Sequence, residues 1–402
     1  MSAITIVGGG VFVARLCRSL ATNPGIKPKA IRLVARRYDR LRVIAETCQR
    51  ILETAGHGWT VTACPSVEEA CTGADMIILM LRAGGFEARS RDESFPRMFG
   101  LPGDEGLGPG GISNALRTTA CLSPIADAIA ARAPNALLLN LVAPLGLTTR
   151  FLLERSLNVI GLCELPATTE HGLAAAVSHL GMKLHYAGFN HLGFFWSDPE
   201  NAAALADASV EIGLTDRKAV EHFEAVPLRY YFEIFEPMKA DALGFRRSLT
   251  RAADLQNLSH RIFSAMSRRE DPGELLNARL TPWFDYVVVP FLATCPEPEY
   301  EGFSNVPNGG RLAMVPADVV VELRIRIKSG GTEVCTPPEP PSEVSAFLRA
   351  IGQSENLVYH ACMTRDQHER ACLIRDALGY LPMTIPENPA LLVEEIVRAS
   401  GV

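Results

Sequence analysis

A doubly wound parallel α/β sheet of the Rossmann type, followed by a mixed α+β half, is the fold that the sequence predicts, and three observations predict it. Short apolar runs alternate with helical spacing from residue 4 to about 196. A glycine run, Gly8-Gly9-Gly10, follows the first of those runs at once. From 198 onward the pattern changes to amphipathic helices and a late strand. At 402 residues the chain exceeds what one core usually organises, so it is divided here into 1–195 and 196–402.

The candidate strands are 4–7, 30–35, 59–64, 75–81, 136–142, 158–163 and 183–189, each a short apolar or β-branched run. Between them, 11–22, 38–55, 113–132, 146–156 and 166–180 carry apolar residues at spacings of three and four and read as helices. The stretch 84–112 breaks the rhythm, being rich in Gly, Arg, Asp and Glu, and reads as a long functional loop. Residues 308–328 read as a turn and a strand, 329–345 as a loop, and about 343–400 as a last helical block.

Composition narrows the function. Hydrophobic residues make up 48% and charged residues 21%, as in a folded globular protein. A net charge of -6 with both signs interspersed gives no broad basic surface, so nucleic acid and anionic membrane are poor partners and a small molecule is the expected one. The ten cysteines lack the spacing of a disulfide scaffold; Cys17, Cys48, Cys71 and Cys372 read as buried thiols in a reducing compartment. No leader pattern precedes ITIVGGG and no apolar run of about 18 residues occurs, so the expected location is the cytoplasm.

Gly8-Gly9-Gly10 lies between a strand and a helix, where glycines let backbone N–H groups approach a pyrophosphate and the helix N-terminus adds partial positive charge. The third glycine of the usual fingerprint falls on Val13, so a tight strand-to-helix turn is the competing reading. The acid expected at the end of the second strand, which would bind a ribose hydroxyl, is missing: Ala35 is followed by Arg36 and Arg37. Paired arginines accept a 2′-phosphate, or are simply solvated at a helix start. Cys163 ends the run NVIGLC and His191 ends HYAGFNH, which places both at the carboxyl edge of the sheet. A thiolate and an imidazole there could hold one divalent metal with positions left open; taken alone, the pair reads first as a buried thiol and a satisfied histidine.

In their order, GGG (8–10), ADMIILMLRAGGFEARSRDE (74–93), GLGPGGISNALRT (106–118), NLVAPLG (140–146), GLCELP (161–166), GFNHLGFF (188–195), LRYY (228–231) and NGG with VPADVVVE (308–322) resemble glycoside hydrolase family 4. The resemblance implies a hydrolysis in which a bound dinucleotide, NAD or NADP, oxidises the sugar C3 hydroxyl and thereby acidifies the C2 proton. A divalent metal, usually Mn2+, polarises the C2 and C3 oxygens while a base removes that proton and the glycosidic group leaves. It implies a second half that binds the carbohydrate and builds a homodimer or homotetramer. Carried over residue by residue, Cys163 and His191 match the metal ligands. Gly8, Gly9 and Gly10 match the cofactor loop, which Val11 follows, while Arg36 and Arg37 are cofactor candidates from their place after the second strand. Arg89, Glu105, Asn140, Asn190 and Arg229 fall around the substrate. Glu164 occupies the position of an acid catalyst, and Tyr230 and Tyr231 are the remaining candidates for the base.

The departures are specific. Ala143 stands where the family has a substrate-contacting Asn, and Pro227 stands where the first Tyr of the element that supplies the base is expected. Val11 replaces a serine common in members that cleave phosphosugars. Two other readings therefore stay open: a net NAD(P)-dependent oxidoreductase on a hydroxy acid or sugar acid, and a dinucleotide-binding protein that has lost its chemistry.

Overall fold

The computed structural model describes residues 3–402 apart from 24, 27, 246–250, 279–282, 294–299 and 329–330. Twelve strands are defined among the described residues: β1 (Ala3–Gly8), β2 (Ala30–Val34), β3 (Thr60–Cys64), β4 (Met76–Met80), β5 (Leu137–Asn140), β6 (Asn158–Gly161), β7 (His185–Phe189), β8 (Leu192–Trp196), β9 (Val226–Pro227), β10 (Tyr300–Pro307), β11 (Val320–Lys328) and β12 (Gly331–Val334). They form one sheet in the order β3-β2-β1-β4-β5-β6-β10-β11-β7-β8-β9, with β12 on β11. The first six are mutually parallel in the order 3-2-1-4-5-6, the doubly wound arrangement expected from the sequence.

Parallel strands covered on both faces must be apolar on both, and β4 shows the alternation. Met76 and Ile78 enter the core shared with the helices Val13–Ala21 and Tyr38–Thr54. Ile77 and Leu79 enter the opposite core, shared with the helix Gly108–Arg132. The helices Ser342–Met363, Gln367–Tyr380 and Ala390–Ser400 return to that second core through residues such as Val358, Ile374 and Ile396, so the end of the chain packs against its beginning. No helix among the described residues is long and apolar enough to cross a membrane.

Three expectations change. The strand at 183–189 is not part of the parallel set: β7 folds back on β8 as an antiparallel hairpin, because only Asn190 and His191 separate them and a parallel crossover needs a dozen residues or more. The stretch 84–112 is not one loop, since Gly85–Ser94 is a helix. Its charge hid it, for Arg89, Asp92 and Glu93 are buried in ion pairs rather than turned to solvent. Cys372 is half-buried, whereas Cys17, Cys48 and Cys71 are buried as expected. Strand β10 had no counterpart in the sequence reading, and one sheet runs through both of the segments divided at 195.

The join between the parallel set and the rest is narrow. β10 meets β6 through the single pair Asn305–Gly161, and β11 meets β7 through the single pair Glu322–Gly188. Asn305 and Glu322 are themselves partners, so Gly161, Asn305, Glu322 and Gly188 lie in one row across four strands. A Cβ on Gly161 would stand 2.5 Å from Thr149 Oγ1 and 2.9 Å from Asn305 Cβ, so only glycine allows this approach.

Asp92 is fully buried and paired with Arg117, whose Nε also donates to the Ala83 carbonyl at 3.1 Å. Arg117→Met leaves that carboxylate buried and unpaired, and is expected to cost about 3–5 kcal/mol. Chaotrope unfolding should show the loss, with Asp92→Asn in the same chain restoring a large part of it.

Candidate active site

One cleft with an empty volume of about 1430 Å³, its open mouth included, lies beyond the carboxyl ends of β1, β4, β5 and β6. Gly9, Gly10, Val11 and Phe12 form one wall, Cys163, Glu164, Asn190, His191 and Tyr230 another, and Arg82, Arg89, Asp104 and Glu105 a third. Gly9 and Gly10 both have positive φ, 80° and 53°, and a Cβ on Gly10 would meet no atom within 4 Å, so the turn leaves open space against its backbone. Gly8 does something else. It pairs with Met80 in β4, and a Cβ there would lie 2.7 Å from the Leu81 backbone, so it serves strand packing and does not line the cleft.

The carboxylate wall is an ion-pair cluster. Glu105 accepts two hydrogen bonds of 3.0 Å from Arg82 and lies 2.6 Å from Arg89, which also pairs with Glu93 at 2.6 Å. Although burial opposes it, the charges of Arg82 and Arg89 hold the Glu105 carboxyl down at about 2. Neighbouring Asp104 moves the other way, up to about 6, through burial; its Oδ1 accepts from the backbone N–H groups of Gly106 and Leu107. Asn114 ties this loop across the cleft by donating to the carbonyls of Glu105 and Ala143, at 2.8 and 3.1 Å.

On the opposite wall, His191 occupies the hairpin turn with φ 69° and stacks on Tyr230, ring centroids 4.2 Å apart. Its Nδ1 is buried and makes no hydrogen bond, and the amide nitrogen of Asn190 is in the same condition. Burial, with Arg229 nearby, lowers the His191 imidazole from 6.5 to about 3, so the ring is neutral. Cys163 is buried with its Sγ 3.8 Å from Glu164 Oε2, and burial followed by the charges of Glu164 and Glu322 pushes its thiol well up. Behind them, Glu322 accepts from Tyr186 Oη at 2.6 Å and from Asn305 Nδ2 at 2.8 Å, and burial raises its carboxyl to about 7.

The sequence-derived set is thus divided. Gly9, Gly10, Val11, Arg89, Glu105, Cys163, Glu164, Asn190, His191 and Tyr230 share the cleft. Asn140 does not: it is fully buried and donates to Thr148 and Thr149 at 2.9 and 3.0 Å, so its amide holds the turn after β5 instead of a substrate. Tyr231 lies outside as well, in an aromatic cluster with Phe223 and Phe347, its hydroxyl donating to Glu236 at 2.8 Å. Arg229 stands behind Tyr230 and pairs with Glu233 at 3.6 Å. Arg36 and Arg37 are exposed just beyond β2. Pro227 is buried in β9 opposite Phe194, so this departure does not put a proline among the cleft's polar groups. Sequence reasoning missed Arg82, Asn114, Arg251 and Trp283, which line the cleft, and the Tyr186–Glu322–Asn305 network behind it. The lone carboxylate inside the apolar run VVVELRI was the available signal for Glu322.

A doubly wound sheet with an open glycine turn at the carboxyl ends of its strands defines a class: proteins of the dinucleotide-binding fold. Comparison with known proteins makes it particular. The family 4 glycosyl hydrolase model matches residues 3–179 and the model of that family's C-terminal domain matches 186–376, so the chain belongs to glycosyl hydrolase family 4, as the motifs implied. It is 26% identical over 356 residues to a probable 6-phospho-beta-glucosidase of Bacillus subtilis (82% of this chain, 80% of that one). It is 24% identical over 390 residues to the 6-phospho-beta-glucosidase of Escherichia coli (90% and 86%). Its fold is similar to that of a 6-phospho-beta glucosidase from Thermotoga maritima solved with manganese, NAD+ and glucose-6-phosphate, with a TM-score of 0.82 and 20% identity over 100% of this chain and 98% of that one.

The His191 ring should stay neutral as pH falls from 8 to 4, because its folded value is about 3 against 6.5 in an exposed histidine. Its contribution to stability is therefore full above 6.5 and declines as pH falls toward 3. Histidine NMR of the intact chain checks this: a His191 resonance titrating near 6.5 would contradict the burial described.

Proposed function

We propose that the chain is a glycosidase that works with a bound dinucleotide and one divalent cation, for which Mn2+, present in a solved relative, is the first candidate, on an anionic glycoside. The observation that carries this is the stacking of Tyr230 on a neutral His191 in the same cleft as Cys163 and the open turn at Gly9-Gly10. The donor set suits a cation: His191 Nδ1 is buried with its polar capacity unused, and Cys163 is a thiol that a nearby cation would ionise. The turn suits a pyrophosphate, with its backbone uncovered. When bound, the two groups supply reversible oxidation at C3 and polarisation of the C2 and C3 oxygens, which acidify the C2 proton.

The chain's own residues then divide the work. Tyr230 takes the C2 proton as a phenolate; burial, then Asp104 and Glu233, raise its hydroxyl above the ordinary value against the charges of Arg229 and Arg251, so a cation held beside it at His191 is what would ionise it. Glu164 lines the cleft at the N-terminus of the helix Leu165–Val177, where its carboxyl accepts only from the neighbouring Cys163 thiol among the described residues, and serves as the acid for the leaving oxygen. Arg89, fixed by Glu93 and Glu105, presents a rigid guanidinium edge to the sugar. Arg251 lines the cleft and forms no ion pair among the described residues, which suits a phosphorylated or carboxylated sugar, in keeping with the 6-phospho-glucosidases among the relatives. Loss of the Asn contact at Ala143 and of the serine at Val11 alters how that anion and its hydroxyls are read.

A panel of phosphorylated, carboxylated and neutral chromogenic glycosides, assayed with and without manganese and dinucleotide, tests the reading. Turnover should require both additions and favour the anionic glycosides; turnover without either, or net accumulation of reduced nicotinamide, contradicts it. Tyr230→Phe should lower kcat about 10²–10⁴-fold. Tyr231→Phe, outside the cleft, should change it by no more than about threefold, the scale of a surface-like loss of under 1 kcal/mol. Comparable losses in both would contradict the assignment of the base.

A further inference from the structure

The register of the first two strands brings a group of arginines to the sheet edge beside the glycine turn. Val34 of β2 pairs with Val7 of β1, so the chain leaves β2 at Ala35 level with Gly8, the start of the glycine turn. In a doubly wound dinucleotide fold an acid near this point binds the hydroxyls of the adenosine ribose, and an arginine accommodates a 2′-phosphate. Here the position is occupied by Ala35, then Arg36 and Arg37. Both guanidinium-bearing residues are exposed, and neither forms an ion pair among the described residues.

A third arginine belongs to the group. Arg40 lies in the first turn of the helix Tyr38–Thr54, with its guanidinium carbon 3.9 Å from the centroid of the Phe263 ring. Burial and the charge of Arg37 both lower its basicity, so the two cations stand close enough to repel. The carboxylate on this segment, Asp39, forms no ion pair with any of them among the described residues. Like charges gathered without a counter-ion destabilise the free protein and favour any anion that settles between them. A monophosphate, with its several acceptor oxygens, matches guanidinium forks.

We propose that Arg36, Arg37 and Arg40 form a monophosphate site that makes this chain select the 2′-phosphorylated dinucleotide, NADP, over NAD. The site deepens the proposed function and rests on its dinucleotide reading. It also separates this chain from the relative solved with NAD+.

The test is equilibrium binding to the intact chain, without substrate or metal, followed by the fluorescence of NADPH and NADH. NADPH should bind at least tenfold more tightly at low salt, with the ratio shrinking as salt rises. Displacement of NADPH by 2′,5′-ADP should likewise exceed displacement by 5′-AMP at least tenfold, a measurement that needs no variant. Arg36→Ser with Arg37→Ser should bring the two dinucleotide affinities together, and Ala35→Asp should turn the preference toward NADH. Equal affinities, or tighter NADH, in the unsubstituted chain overturn the phosphate site while leaving the dinucleotide reading intact. Failure of both dinucleotides to bind overturns that reading itself.

Discussion

The buried carboxyl of Glu322 is the interaction on which the rest of the arrangement depends. Two one-residue bridges join the parallel sheet to β10 and β11 and these to the β7–β8 hairpin, and a bridge of one pair gives little resistance to sliding. Glu322 lies in that row and spans it with side-chain bonds, accepting from Asn305 on β10 and from Tyr186 on β7. The same row carries the two site-bearing segments: Cys163 follows Gly161 by two residues, and Asn190 and His191 follow Gly188. A side chain that sets strand register thereby sets where the thiol and the imidazole stand. Hydrogen bonds to a buried acid hold this register more firmly than apolar packing would, because losing one partner leaves a desolvated polar group.

The parallel half was legible because its strands are buried on both faces and its helices are amphipathic, so its six strand positions and five of its helices could be placed from periodicity. What could not be read follows from long-range pairing. Nothing local distinguishes 183–189 from a parallel strand, and its direction is decided by the two-residue turn and by the partner β11, more than 130 residues away. The helix Gly85–Ser94 was hidden for a different reason. Its inward face is made of Arg89, Asp92 and Glu93, and a periodicity of charge looks like solvent exposure unless the partners, Arg117 and Glu105, are known.

In the site, residue type within ordered motifs located Cys163, Glu164, Asn190, His191 and Tyr230, which the cleft brings together. Their neighbours decide what each can do. The two tyrosines of LRYY are adjacent in sequence and equivalent by composition, yet the helix Arg229–Phe235 turns one onto His191 and the other into an aromatic cluster. Asn140 and Asn190 divide in the same way, one amide fully bonded within a turn and the other buried with its nitrogen unpartnered. The departure at Pro227 proves to be a matter of strand pairing with Phe194, away from the cleft.

The proposed function has Cys163 and His191 jointly holding one divalent cation beside Tyr230. Manganese binding to the intact chain, measured by electron paramagnetic resonance without cofactor or substrate, tests it most directly. One bound ion per chain is expected, with affinity lowered at least tenfold by Cys163→Ser and by His191→Ala, each variant keeping the unfolding midpoint of the metal-free parent to within a few degrees. Binding that survives both substitutions undiminished would place the ion elsewhere, away from Cys163 and His191.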